Sequence, residues 1–372
     1  MTNNNRKKLY NPNSFNALDA AVSFIVVLVV FLILEFIITD IVLSLKESVE
    51  NFDYYLYLCI SSLITQGAIF LVGFLWCKIR RVDLFSGGGF ICRFDFVPIL
   101  FAILLCLGLY LTLYNAHLQF IEDIFPIIYG RSYSEYTEAY NSIIQGNPGY
   151  AVLYMYVLTP LLPCICEELL FRGVIMRGLR QFGVTASVIL SAMCFTFMHG
   201  NIEQIVLQFA LGLAMSAVVT ITGNYMLGIA MHFTHNLITT ILSVFSASYG
   251  MYANGGETFV EAVFIILGVV FLIVGGYYFI KLAISNKVKE AKFAPKELTL
   301  KEIDNYAIVK KQGEDEQILY PVQVDNGKIN DGTYAYKRNG LWCRVNKRSN
   351  TALSIVFLAI GLAFSVVMIF MS

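Results

Sequence analysis

The sequence predicts an all-α polytopic membrane protein of about nine transmembrane helices, with a small cytoplasmic β-rich module before the last helix. Three observations carry this expectation. The chain of 372 residues is 57% hydrophobic and only 14% charged, against roughly 45–50% and about 25% in soluble domains. Its apolar residues fall in separate runs of about twenty, the length a helix needs to cross a hydrocarbon core of about 30 Å. Inside lipid the backbone must pair within the chain, so such runs are helices. Finally, one long polar segment near the C-terminus has the turn residues of β-hairpins.

The first run, Ala20 to Thr39, follows a polar stretch without a small-residue cleavage site, so it reads as a retained helix and not a removed signal peptide. The second is Tyr54 to Trp76 and the third Phe96 to His117, with His117 read as interfacial. The fourth starts near Tyr150 and runs unusually far, towards Arg180. Then come Val184 to His199, Ile205 to Ile221, Tyr225 to Phe245 and Phe259 to Ile280, and the ninth is Ala352 to Phe370. The organisation expected is a three-span region with an outer loop (1–149), a four-span core (150–246), an eighth span (247–281), a soluble module (282–349) and a last helix (350–372).

From Gln317 onward the module alternates apolar and polar residues between Asp325-Asn326-Gly327, Asn330-Asp331-Gly332 and Asn339-Gly340, the chemistry of tight hairpins. Nearly all of the 26 Lys and Arg fall in the first, third and fifth of the alternating loops or in this module. The positive-inside rule then puts the N-terminus in the cytoplasm and, with nine spans, the C-terminus outside a cell membrane. The formal net charge is zero, and no large basic block suggests nucleic acid. The eight cysteines lie mostly in or beside apolar runs. They lack paired CxxC motifs and read as small buried hydrophobes, Cys164 and Cys166 included.

Ionisable groups inside a span cost about 2.5–3.5 kcal/mol each on insertion scales, so they mark where chemistry is to be sought. Most spans have almost none; the fourth to seventh do. The fourth reads Pro160-Leu-Leu-Pro163-Cys-Ile-Cys-Glu167-Glu168-Leu-Leu-Phe-Arg172-Gly173. Glu168 and Arg172 are four apart and can pair on one face, while Glu167 points about 100° away, free to face a cavity. Adjacent carboxylates in low dielectric repel, and one tuned and one paired carboxylate make a plausible acid–base arrangement. In the fifth span Phe195 and His199 are four apart; in the seventh, His232 and Asn236, with His235 between. At about 1.5 Å per residue, Glu167 and His199 lie roughly 20 Å from the inner turn, and His232 and Asn236 about 12–18 Å from theirs. These groups can share one layer. They could activate water and stabilise an oxyanion, or ligate a metal through Glu167, His199 and His232.

Glu-Glu-x-x-x-Arg, Phe-x-x-x-His and His-x-x-x-Asn, in this order in successive spans from Tyr150 to Phe245, resemble the CPBP family of intramembrane proteases, which includes CAAX prenyl protease 2 and lysostaphin-resistance-protein-A-like proteins. The resemblance implies an endopeptidase acting in the bilayer on a membrane-associated protein or peptide. By position, Glu167 and His199 would activate water, His232 and Asn236 would stabilise the oxyanion, and Arg172 would hold Glu168. It leaves two routes open, a divalent metal such as zinc or a metal-free glutamate mechanism; no His-Glu-x-x-His motif is present. Two other classes compete. An ion-coupled transporter would also bury Glu, Arg and His, but no repeat relates the two halves. A catalytically silent scaffold or bacteriocin-immunity protein would keep the fold; that all six polar motif positions are filled argues for retained activity.

Overall fold

The computed structural model describes residues 15–48, 52–80, 92–143, 146–249, 257–293 and 350–371, together with short strand segments between 319 and 344. The N-terminal polar stretch, part of the basic inner loop after Arg80, and most of the expected module lie outside the described residues, as does Gly250.

Ten helices are described: α1 (Ala17–Ser48), α2 (Tyr54–Ile79), α3 (Phe96–Tyr129), α4 (Tyr133–Ile143), α5 (Pro148–Phe182), α6 (Val184–Met198), α7 (Ile205–Thr222), α8 (Tyr225–Tyr249), α9 (Glu257–Phe293) and α10 (Thr351–Met371). Seven of them, α1, α2, α3, α5, α7, α9 and α10, are long and apolar enough to cross a membrane. Among the described residues α6 and α8, the other two expected spans, do not reach that measure. The 15 residues of α6 reach only about 22 Å at helical rise. In α8 the polar side chains of His232, His235 and Asn236 interrupt an otherwise apolar helix.

α3 is longer than expected. It runs on to Gly130, whose left-handed φ of 68° ends it, its N–H bonding to Pro126 O. His117 therefore sits in the body of the helix and is buried. α5 is continuous but not uniform. π-helical turns at Tyr154–Leu158 and Leu169–Ile175 bracket the segment Thr159–Glu168. Single π-turns rotate everything that follows on the helix and occur often at functional sites.

Of the expected β-rich module only strand segments are described. Antiparallel pairs β1–β4 (Leu319–Pro321 with Tyr334–Arg338) and β4–β5 (to Leu341–Arg344), and a separate two-residue pair β2–β3 (Val324–Asp325 with Lys328–Ile329), are present. They flank the two Asn-Gly dipeptides read as hairpin turns. These strands have two to five residues, and the rest of the expected module lies outside the described residues.

Packing explains how the bundle holds its polar layer. α3 and α9 lie together over their whole contact because their crossing is lined by glycine: a Cβ on Gly108 would stand 2.5 Å from Leu272 N, and one on Gly275 2.8 Å from Leu105 N. Small residues that let backbones meet replace the hydrophobic drive that lipid cannot supply. α1 packs against α10, with Ala20, Ala21, Phe24 and Leu28 fully buried. One end of the bundle is tied by polar contacts. Arg80 Nη2 meets Asp19 Oδ2 at 2.6 Å, and Gln181 accepts from Ala17 N and donates to Thr351 Oγ1, both at 3.3 Å. At the other end Asp53 caps α2, accepting from Leu56 N at 3.0 Å, and also accepts from Asn147 N at 2.9 Å. The two amides hold the Asp53 carboxyl below the usual carboxylate range. α2 is thereby fixed to its neighbours at both ends.

Candidate active site

Within this frame Glu167, Glu168, Arg172 and His232 are buried together, none more than 3% exposed. Arg172 Nη1 donates to Glu168 Oε1 at 2.7 Å, one helical turn away, as the i,i+4 spacing predicts. The guanidinium also lies over the Phe195 ring, 4.3 Å from its centroid, and Nη2 reaches Gly212 O at 3.4 Å. Cation–π contact and a carboxylate partner are what make a fully buried Arg tolerable. The same Glu168 Oε1 faces His232 Nδ1 at 3.2 Å. A carboxylate held by Arg only accepts, so Nδ1 carries the proton. His232 Nε2 then points to Glu167 Oε2 at 3.9 Å, too long for a direct hydrogen bond and short enough for one bridging water.

Glu167 Oε1 accepts from Gln66 Nε2 of α2 at 2.9 Å. Its other oxygen, Oε2, is buried without a partner among the described residues. Each carboxylate keeps one oxygen without a partner among the described residues; they differ in the other, Glu168 Oε1 being tied to Arg172 and His232 and Glu167 Oε1 to Gln66 alone. One guanidinium for two buried carboxylates leaves the layer short of positive charge, which favours a site that handles protons.

His199 stands at the C-cap of α6, half-buried. Its Nδ1 meets Phe195 O at 2.9 Å. A carbonyl can only accept, so Nδ1 is the protonated nitrogen and Nε2 the basic one. Phe195 joins the two histidines: its ring is 5.3 Å from that of His199 and 5.4 Å from that of His232, near-perpendicular to both. The Phe-x-x-x-His spacing therefore places an aromatic spacer as well as an imidazole.

Asn236 is on α8 one turn beyond His232, and its Nδ2 donates to Thr159 O at 3.3 Å. Pro163 explains why: it has no N–H to give the carbonyl four residues back. Asn236 thus spends one amide hydrogen on the backbone of α5 and keeps a second. His235 faces away from the carboxylates, edge-on to Tyr110 of α3 with ring centroids 5.4 Å apart.

Among the described residues no three His, Cys, Asp or Glu side chains are grouped to hold a metal ion, the trio Glu167, His199 and His232 included; both histidines engage Nδ1 and keep Nε2 open, an arrangement that ligation through Nε2 also uses. Cys164 and Cys166 are free and buried, as expected of small hydrophobes.

Four contributors were not foreseen from the sequence. Gln66 is an amide in the middle of an apolar span, a signal in itself. Tyr225 donates to Arg172 O at 3.1 Å and accepts from Arg177 Nε at 2.6 Å, and Ser191 Oγ donates to Phe171 O at 3.2 Å, so both brace the π-turn after Glu168. Gly228 makes room for Glu168: a Cβ there would stand 2.7 Å from Glu168 Oε2. Neither the π-turn nor the close approach has a one-dimensional signature.

No curated protein and no solved structure matches the chain. The apolar helices and the family match that follows agree on a multi-pass membrane protein. The model of the type II CAAX prenyl endopeptidase Rce1-like family matches residues 149–238, the segment that holds Glu167, Glu168, Arg172, His199, His232 and Asn236, and the chain is there similar to a CAAX-type membrane protease family.

Proposed function

We propose that the protein is an intramembrane endopeptidase that hydrolyses a peptide bond in a membrane-associated protein or peptide, using water activated by Glu167 and His199. The observation that carries this reading is the unequal pair of carboxylates: Glu168 Oε1 is held by both Arg172 and His232, while Glu167 is held only by the Gln66 amide and turns its other oxygen, Oε2, to an imidazole nitrogen 3.9 Å away. The family match supports the reaction class.

In this mechanism a water donates one hydrogen to Glu167 Oε2 and the other to His199 Nε2. As its oxygen attacks the scissile carbonyl, Glu167 takes the proton and the C=O pair moves to oxygen. The second amide hydrogen of Asn236 stabilises the oxyanion, joined by His232 as the imidazolium, with Nδ1–H held by Glu168 and Nε2–H as the donor. The intermediate collapses, the C–N bond breaks, and the proton on Glu167 passes to the departing amine. Arg172 acts through Glu168, fixing His232. No step uses a metal.

The test is cleavage by the full chain in lipid nanodiscs. Two fluorogenic peptides serve as probes, one carrying a farnesylated Cys-aliphatic-aliphatic-X end and one an unmodified membrane anchor. Wild type should release fluorescence from at least one, Glu167→Ala from neither, and a chelator should leave the rate unchanged. A chelator-sensitive rate restored by zinc contradicts the water-and-glutamate mechanism. Turnover by Glu167→Ala equal to wild type contradicts the site itself and leaves a membrane scaffold as the better reading.

A further inference from the structure

We propose that Gln66 is the positioning residue for Glu167, presented to it by a helix outside the family-matched segment. The proposal rests on the hydrolytic reading above. The geometry is direct: Gln66 Nε2 donates to Glu167 Oε1 at 2.9 Å, and this bond decides which carboxylate oxygen is left for chemistry. With Oε1 taken, Oε2 is the open one, and Oε2 is the atom turned to His232.

The amide assignment is forced. Glu167 can only accept, so the atom facing it is the NH2 group, and the carbonyl Oε1 of Gln66 points elsewhere. That Oε1 is itself buried without a partner among the described residues. An amide in an apolar span with half of its hydrogen-bonding capacity unmet is costly, and packing alone gives no reason to keep it.

α2 is built to hold this amide still. Gln66 is on the helix stripe that continues through Ile69, Gly73 and Cys77, all buried. Gly73 lets the helix close on α5, where a Cβ would stand 3.2 Å from Leu169 Cγ. The ends are tied by Asp53 to Asn147 and by Arg80 to Asp19. Residues 149–238 alone would therefore have the carboxylate without the group that orients it.

The test uses the full chain in nanodiscs with the two peptides named above. Gln66→Met keeps the length of the side chain and removes the donor. It should melt near wild type and leave KM unchanged, while kcat falls about 10²-fold, the cost typical of a misplacement near 1 Å. Added to Glu167→Gln, it should change the residual rate by less than about twofold, because the group it positions is gone. Three results overturn the proposal: an unchanged kcat; a raised KM at unchanged kcat, which marks a substrate contact; or a fall in kcat that only follows a fall in Tm, which marks a structural role. If wild type cleaves neither peptide, the hydrolytic reading fails and the catalytic role of Gln66 with it. Infrared difference spectra separate the two failures. A carboxylate band lost in Glu167→Gln and shifted in Gln66→Met leaves the contact standing, whereas a band that Gln66→Met does not shift shows that the contact itself is absent.

Discussion

Gly228→Ala tests whether the second carboxylate must stay where it is. The Cβ of the new alanine would stand 2.7 Å from Glu168 Oε2 and 3.1 Å from Val219 Cγ2. Ordinary contact begins near 3.4 Å, so Glu168 or α8 must give by about 0.7 Å. Glu168 cannot move freely, being held by Arg172 at 2.7 Å and His232 at 3.2 Å. Overpacking of this kind costs about 1–3 kcal/mol. Replacing a helical glycine by alanine returns up to about 1 kcal/mol, so the net loss of stability is about 0–2 kcal/mol. The effect on rate is larger. A shift approaching 1 Å at a group that fixes His232 should lower kcat about 10- to 100-fold. The control is Gly276→Ala, which meets nothing within 4 Å and should melt at or slightly above wild type. The assay is thermal unfolding and peptide cleavage on the same nanodisc samples. A Gly228→Ala protein that cleaves at the wild-type rate and melts no lower than the Gly276→Ala control would refute the argument.

Other expectations follow from the same contacts. Arg172→Ala leaves two buried carboxylates without their cation and should lose about 3–5 kcal/mol, read as poor expression and a low Tm; Arg172→Lys should recover only part of this, since an ammonium cannot both meet Glu168 and lie flat over Phe195. Asn236→Ala strips the Thr159 carbonyl of its side-chain donor and should cost about 1–3 kcal/mol. Adding Pro163→Ala restores a backbone N–H, so the double variant should regain stability but not activity; recovery of both would limit Asn236 to a structural role. Reporter fusions should place Arg80, Arg180 and Lys311 in the cytoplasm and Gly250 outside, and an external signal at Lys311 would overturn the orientation.

The polar layer was the most legible part of the sequence because charge inside an apolar run is rare and helical spacing is reliable. Glu168 and Arg172 pair as four-residue spacing requires, and His232 meets both carboxylates as the depth estimate allows. The extent of individual helices was less legible. Composition alone could not tell that α3 passes His117, because Gln119, Glu122, Asp123 and Pro126 follow it and read as the end of a span. Nor could it separate a helix that spans the bilayer from one that is short or interrupted by its own functional groups, such as α6 and α8. Contacts between distant segments were not legible at all. Gln66 reaches Glu167 across 101 residues of sequence, and the reason for Asn236 bonding to Thr159 appears only once Pro163 is seen beneath it.

The central claim is that Glu167 is the proton acceptor for water. Glu167→Gln keeps the size of the side chain and its place beside Gln66, and removes only the basic oxygen. Its kcat on the cleaved peptide, measured against wild type in the same nanodiscs, is the most direct test. General-base catalysis is typically worth about 10²–10⁴-fold. The account predicts a loss in that range, with expression and Tm preserved because one of two crowded carboxylates has been neutralised. A Glu167→Gln protein that turns over the peptide at the wild-type rate would contradict it.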